Sequence, residues 1–292
     1  VDEVLLHGIE LMGLPHWAEV YQSLGRPSIR IKTFTFEGEA PIGVSKFGGS
    51  PDLPSNILWP TYSGHALPFV AQVLLSEAVR FDNADILPKS GMLYFFYDII
   101  NTPGGYDLEE QAWRVMFVDA ESDSLHRVAS PCDLIDPFTQ EAARLLTCGM
   151  SFSSEVTYPC WTSPDCVATF FHEDQYRYEQ ILDYEVQKAM TRSSSTLTIT
   201  HRIGGYPDVL QPTDMPSEAD LLSKGIFPYQ DGVLLQDVDV NRDAWTLLLQ
   251  VDSDGENSDM FWGDSGRIYF WIKKQDLATK NFNNVWLLLQ SL

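Results

Sequence analysis

No apolar run in this sequence is long enough to cross a bilayer as a helix. The longest, Leu67 to Leu75 and Met92 to Ile100, stop well short of the roughly 18 to 20 residues that a span needs, and the second contains Asp98. Basic residues are also scarce. Nineteen Lys and Arg stand against forty-one Asp and Glu, a formal charge of -22, whereas duplex nucleic acid and anionic membranes are held through clustered cations. Neither is an expected partner. The stretch VDEVLLHGIELMGLPHW has no basic region before its apolar residues and carries Asp2 and Glu3, so no secretory or mitochondrial leader is recognisable and the cytoplasm is the expected compartment. The four cysteines, Cys132, Cys148, Cys160 and Cys166, make no CxxC and have no His pair near them at zinc-site spacing. Free, buried thiols are the expectation, with disulfides left open by the even count. A P-loop, a Rossmann glycine fingerprint, HExxH and an RNA-binding aromatic signature are all missing.

What is present is a folded chain, 44% hydrophobic and 12% aromatic, with an internal echo. Lys46-Phe-Gly-Gly-Ser-Pro-Asp52 returns as Arg202-Ile-Gly-Gly-Tyr-Pro-Asp208. Phe69-Val-Ala-Gln-Val73 is matched by Leu247-Leu-Leu-Gln-Val251, and Ser90-Gly-Met-Leu-Tyr-Phe-Phe96 by Ser265-Gly-Arg-Ile-Tyr-Phe-Trp271. Three blocks recurring in one order predict two copies of one unit, residues 1–135 and 136–292. Each unit is expected to open with a helix, Val1 to Leu24 interrupted at Pro15 and Pro164 to Met190, followed by strands. The Gln-bearing and aromatic runs are apolar enough to be central strands. The expected fold class is therefore α+β: two similar units, each a helix plus an antiparallel or mixed sheet, packed as one compact body. The extra length of the second unit falls in the proline-rich stretch from Pro207 to Val233, an acidic excursion or the wall of a cleft.

Charge is clustered in that second unit. Between Asp208 and Asp264 there are thirteen acids and two bases, Lys224 and Arg242. Gathered on one face, such acids would attract a basic protein and bind it in a salt-sensitive way, with Asp237, Asp239, Asp252 and Asp254 as the residues that engage it. Asp252-Ser-Asp-Gly-Glu-Asn-Ser-Asp259 also concentrates the hard oxygen ligands that Ca²⁺ or Mg²⁺ takes, with Asp252, Asp254 and Asp259 as weak ligand candidates. Its glycine is misplaced for an EF-hand, and a solvated acidic turn is the competing account.

Taken together, Phe47-GGSPDL-Pro54, Trp59-Pro60, Leu67-PFVAQVL-Leu75, Gly91-MLYFFY-Asp98, Leu247-LLQVDS-Asp254 and Met260-FWGDSGRIYFW-Ile272 resemble the YwqG-like family, a domain of unknown function. The resemblance runs from Arg26 to Trp286. It implies an internally duplicated α+β fold and no established reaction. Some relatives lie among toxin and immunity genes, which implies an interaction role. The second unit departs from the first in lacking a Trp-Pro after its GG-x-PD element.

Gly263-Asp-Ser-Gly266 matches the nucleophile motif of trypsin-like proteases. Ser265-Gly266 aligns with Ser90-Gly91, however, so a turn is expected there and no triad is readable around the six histidines. Gln72 and Gln250 are carboxamides in apolar strands, and they either tie those strands to the GG-x-PD turns or read a ligand's polar edge. Asp52 and Asp208 either fix their own turns or act as general acid and base. The expected function is non-catalytic: an acidic interaction protein, immunity-like, neutralising a basic partner. The alternative is an enzyme or small-ligand binder with a cleft between the units, whose candidate residues are Asp52, Trp59, His65, Gln72, Asp208, Gln250, Trp262 and Asp264. The sequence identifies no cofactor and no catalytic residue.

Overall fold

The structure is a computed structural model and describes residues 6, 9–10, 13–15, 17–106, 111–119, 124–130, 145–170, 174–181, 199–227 and 238–291. The expected boundary between 135 and 136, Cys132 and Asp237 lie outside the described residues.

Fourteen strands dominate the described residues. Ten form one antiparallel sheet, assembled from β1 (Arg26–Phe34), β2 (Lys46–Phe47), β6 (Phe69–Leu74), β7 (Met92–Tyr97), β8 (Trp113–Val118), β10 (Cys148–Thr157), β11 (His201–Gly204), β12 (Trp245–Asp252), β13 (Arg267–Lys273) and β14 (Trp286–Gln290). The order is β14-β13-β12-β11-β1-β10-β2-β6-β7-β8. β3 (Asp52–Pro54) pairs with β9 (Leu125–Arg127), and β4 (Thr61–Tyr62) with β5 (His65–Ala66), as small satellites.

This order overturns the α+β expectation of two helix-plus-sheet units. β1 does not stay with β2 but lies between β10 and β11, and β10 lies between β1 and β2. The first strand of each half has crossed into the other, so one mostly β body results. The helices do not cover separate sheets either. α1 (Trp17–Leu24) begins just after Pro15, where a missing N–H and a ring clash stop a longer helix. Its apolar stripe meets α2 (Pro164–Thr169) and the helical residues 174–181 in a cluster of their own, with Trp17, Tyr21, Cys166, Phe170 and Tyr178. The Tyr21 and Tyr178 rings stack 4.9 Å apart, so the two helical stretches satisfy each other's apolar faces. Three further helices, Leu75–Ala78, Met215–Ser223 and Lys274–Ala278, are short.

The sheet curls into a nearly closed, barrel-like body. Trp113 on one edge strand packs its ring 5.4 Å from Trp286 on the other and donates to the Val285 carbonyl at 2.9 Å. Between them the aromatic strands face each other, with Phe95 5.1 Å from Phe270 and Tyr97 5.9 Å from Trp262. The seam between the halves is therefore a packed apolar core.

Pairing is symmetric about the β1–β10 pair. Lys46 lies opposite Gln72, and Arg202 opposite Gln250. β6–β7 shifts register between Phe69 and Ala71, and β12–β13 shifts between Leu247 and Leu249. Gly48 and Gly49 have φ of 60° and 69°, and Gly204 and Gly205 have 72° and 70°. Such left-handed backbone is where glycine replaces any side chain with least strain.

Candidate functional site

Each GG-x-PD turn is clamped by the glutamine opposite it. The Asp52 N–H donates to Gln72 Oε1 at 2.8 Å, and Gln72 Nε2 donates to the Val44 carbonyl at 2.8 Å. In the other half the Asp208 N–H donates to Gln250 Oε1 at 2.9 Å, and Gln250 Nε2 donates to the Thr200 carbonyl. The hydroxyls of Tyr94 and Tyr269 donate to the Asp52 and Asp208 carbonyls. Both glutamines are fully buried, and their amides are met by the chain itself, as buried amides require.

The carboxylates are equally engaged. Asp52, 0% exposed, accepts from Lys46 Nζ at 2.9 Å, Arg127 Nε at 2.9 Å, Gln72 Nε2 at 2.9 Å and the Gly43 N–H at 3.0 Å. Burial alone would raise its pKa, but the hydrogen bonds from Arg127 and Lys46 take it below the ordinary carboxylate range. Asp208 pairs with Arg202 at 2.8 Å. There too burial opposes ionisation, and Arg202 with Arg267 overrides it to hold the pKa at about 2. Both groups are thus poor proton carriers near neutrality, since a general acid or base works best with a pKa near the operating pH.

The remaining sequence candidates do not converge. Trp59 donates its indole N–H to the Leu67 carbonyl at 2.9 Å and lies edge-on to Phe96. His65 is exposed in the β4–β5 hairpin, turned by Ser63 and Gly64 at positive φ. Trp262 is fully buried and donates to the Asp252 carbonyl at 3.1 Å, while Asp264 is exposed. Of the proposed partner-binding acids, Asp239 is exposed, but Asp252 and Asp254 are buried. Asp252 is ion-paired with Arg267, Nε to Oδ1 at 2.9 Å, and accepts from the Thr200 N–H at 2.8 Å. Asp254 organises its own loop, accepting from Thr33 Oγ1 at 2.7 Å and the Asn257 N–H at 3.0 Å. Burial would raise the Asp254 pKa, and His201 with its Nε2 3.8 Å away, together with the Thr33 hydrogen bond, lowers it well below the ordinary value. The expectation that these two acids add to an exposed field is corrected accordingly: they are inner struts of a turn. Asp259 is exposed, and among the described residues no group of three His, Cys, Asp or Glu is placed to share a metal ion.

Ser265 is exposed at φ 52° in the turn before β13. Ser265→Ala should leave stability within about 0.5 kcal/mol, as surface changes do. A fluorophosphonate probe should leave Ser265 unlabelled by intact-mass analysis, and stoichiometric labelling there would refute the turn assignment. The described cysteines are all free. Burial pushes the Cys148 and Cys166 thiols up to about 12, which removes the thiolate that nucleophilic chemistry needs.

What sequence reasoning missed is a concavity of about 310 Å³ lined from both halves of the sequence, where the start of β1 and the chain at Ala84 and Ile86 meet the chain after β11. Pro207, Val209, Met215, Pro216, Trp245 and Trp271 give it apolar walls. Polar groups stand around them. Arg26 lies over the Tyr206 ring, 4.1 Å from its centroid, and Arg242 bridges Asp165 at 3.2 Å and Asp214 at 3.1 Å. Burial pushes the Tyr206 hydroxyl up to about 12, so it stays protonated and donates to Asp165 at 3.1 Å. The proline-rich stretch from Pro207 is thus a wall, one of the two roles expected of it.

Residues 45–291 match a family described as a domain of unknown function, DUF1963. The chain belongs to that family. No curated protein matches the chain, so the chemistry of this DUF1963 member has to be read from its own residues.

Proposed function

We propose that this DUF1963 protein acts by binding rather than by catalysis, and that its partner is a basic protein. The observation that carries this reading is the state of the charges in the second half. Arg202, Lys224, Arg242 and Arg267 are all spent on internal carboxylates, while Asp239, Glu256, Asp259 and Asp264 are exposed and have no ion pair among the described residues. Exposed acids that no described cation pairs create a negative potential that speeds encounter with a cationic surface and fades with salt. An immunity-like role, neutralising a basic toxin, is the biological form we infer, and a YwqG-like place within the family goes with it on the sequence blocks named above. We further infer that the matched half-sheets descend from one duplicated unit.

The experiment is an association-rate measurement with a lysine-rich decapeptide as probe. The variant D239N/E256Q/D259N/D264N should associate about tenfold more slowly at low salt, and should lose most of the salt dependence. A control neutralising Glu10, Glu19, Glu37 and Asp85, exposed acids elsewhere, should change the rate much less. Equal slowing by the two variants would show only the pull of overall charge and would refute the directed surface. The small-ligand alternative draws support from a different place than the residues first suspected, namely the concavity lined by Trp245 and Trp271.

A further inference from the structure

In the first half, the Trp59 ring closes one face of the sheet by lying 5.4 Å from Phe96, edge to face. Counting along the aligned aromatic strands, the position of Phe96 in β7 is taken in β13 by Trp271, and the position of Leu67, whose carbonyl accepts from Trp59, is taken by Trp245. The second half has no Trp-Pro after its GG-x-PD turn. At the matched place, the lining of the 310 Å³ cavity includes these same two residues, Trp245 and Trp271. Trp271 is 2% exposed, and its indole N–H has no hydrogen-bond partner. Four other buried indoles make theirs: Trp113 to Val285, Trp245 to Asp220, Trp262 to Asp252 and Trp286 to Gly105. A buried donor left without an acceptor is rare and unfavourable.

We propose that this cavity is a binding site for one flat aromatic group carrying a hydrogen-bond acceptor, which takes the place filled by Trp59 in the first half and accepts from the Trp271 indole N–H. The apolar walls supply the burial, and the volume lies at the small end of ligand pockets, suited to one ring system and not to a large cofactor. Its chemistry favours a neutral ring. Arg26 and Arg242 are already paired with Asp165 and Asp214, and Lys274 and Asp243 add one charge of each sign to the lining. The inference is independent of the basic-partner reading: it stands if the exposed acids bind nothing, and it falls without touching them.

Quinoline and naphthalene are matched probes, identical in shape except for one ring nitrogen that accepts a hydrogen bond. In ¹⁵N-correlated spectra of the full chain, quinoline should shift the Trp271 indole N–H resonance saturably and bind about three- to tenfold more tightly than naphthalene. Trp271→Phe, which installs the ring found at the Phe96 position, should make the two probes equal. Ala84→Trp, at an exposed residue of the lining, should weaken both. Equal binding of the probes by the unmodified protein, no saturable shift with quinoline, or a shift that Ala84→Trp leaves unchanged would each overturn the assignment. The measurement on the unmodified protein decides the acceptor preference even if Trp271→Phe fails to fold.

Discussion

Asp52→Ala should destabilise the protein by about 3–5 kcal/mol in urea unfolding, because it strands a buried cation. Lys46, 1% exposed, has Asp52 as its ion-pair partner at 2.9 Å, and burial already lowers the lysine pKa against the pull of that carboxylate. Removing the acid also takes one acceptor from Arg127 and one from Gln72. The paired replacement Lys46→Met with Asp52→Leu should recover the part of the loss that comes from the stranded lysine, while Arg127, Gln72 and the Gly43 N–H still lose an acceptor. An Asp52→Ala protein within 1 kcal/mol of the parent would show that the charges are solvated. The same pairing sets an acid limit. A carboxylate whose folded pKa lies below its unfolded value adds stability that is fully present above the unfolded pKa and is lost as pH falls through the folded one. For Asp208 that window runs from the ordinary value near pH 4 down to about 2, and the depressed pKa of Asp52 acts in the same direction. Stability should therefore fall steeply below about pH 4, and Asp208→Asn should flatten the upper part of that fall.

Gly49→Val and Gly205→Val should each cost about 3 kcal/mol or more, combining left-handed strain at a β-branched residue with overpacking. At φ 69°, a Cβ on Gly49 would strike Thr147 Oγ1, and at φ 70° one on Gly205 would strike Thr157 Oγ1 and Ser28. Their neighbours separate the two causes. A Cβ on Gly48 would run into the Leu145 and Leu146 carbonyls, which cannot step aside, whereas the nearest atom to one on Gly204 is Ile86 Cδ1 at 3.1 Å. Gly48→Ala should consequently be the more damaging of the two alanine variants, although φ is positive in both. Equal unfolding midpoints for Gly48→Ala and Gly204→Ala would mean that backbone strain alone sets the cost.

The local devices were legible because short-range chemistry dictates them. Paired glycines before Pro-Asp demand a left-handed turn, and a glutamine in an apolar strand demands partners, which the Asp52 and Asp208 N–H groups supply. The fold class was not legible, because nothing in the periodicity of Ser28 to Phe36 says which strands will flank it, and the answer lies beyond Cys148. The acidic segment misled for a related reason. Counting from Asp208 to Asp264 leaves out Arg202 and Arg267 on either side, the cations that neutralise Asp208 and Asp252. Trp59 was read as the wall of a cleft, and the sequence could not show that its indole N–H is met by the Leu67 carbonyl and its ring by Phe96.

The crossing of β1 into the second half has a consequence for how the chain is made. β1 leaves the ribosome before its partners, so the Ser28 hydroxyl must wait for the Gly204 carbonyl, 176 residues later, and the rest of the strand for β10. Until then a nine-residue strand with both edges unpaired is exposed to other nascent chains, the condition under which β proteins exchange strands between molecules. Because the wait is set by contact order, folding should be slow whatever the final stability. A break in the chain between residues 130 and 145 would leave each fragment holding a strand that belongs to the other, so the two should be poorly folded apart and complete one another when mixed.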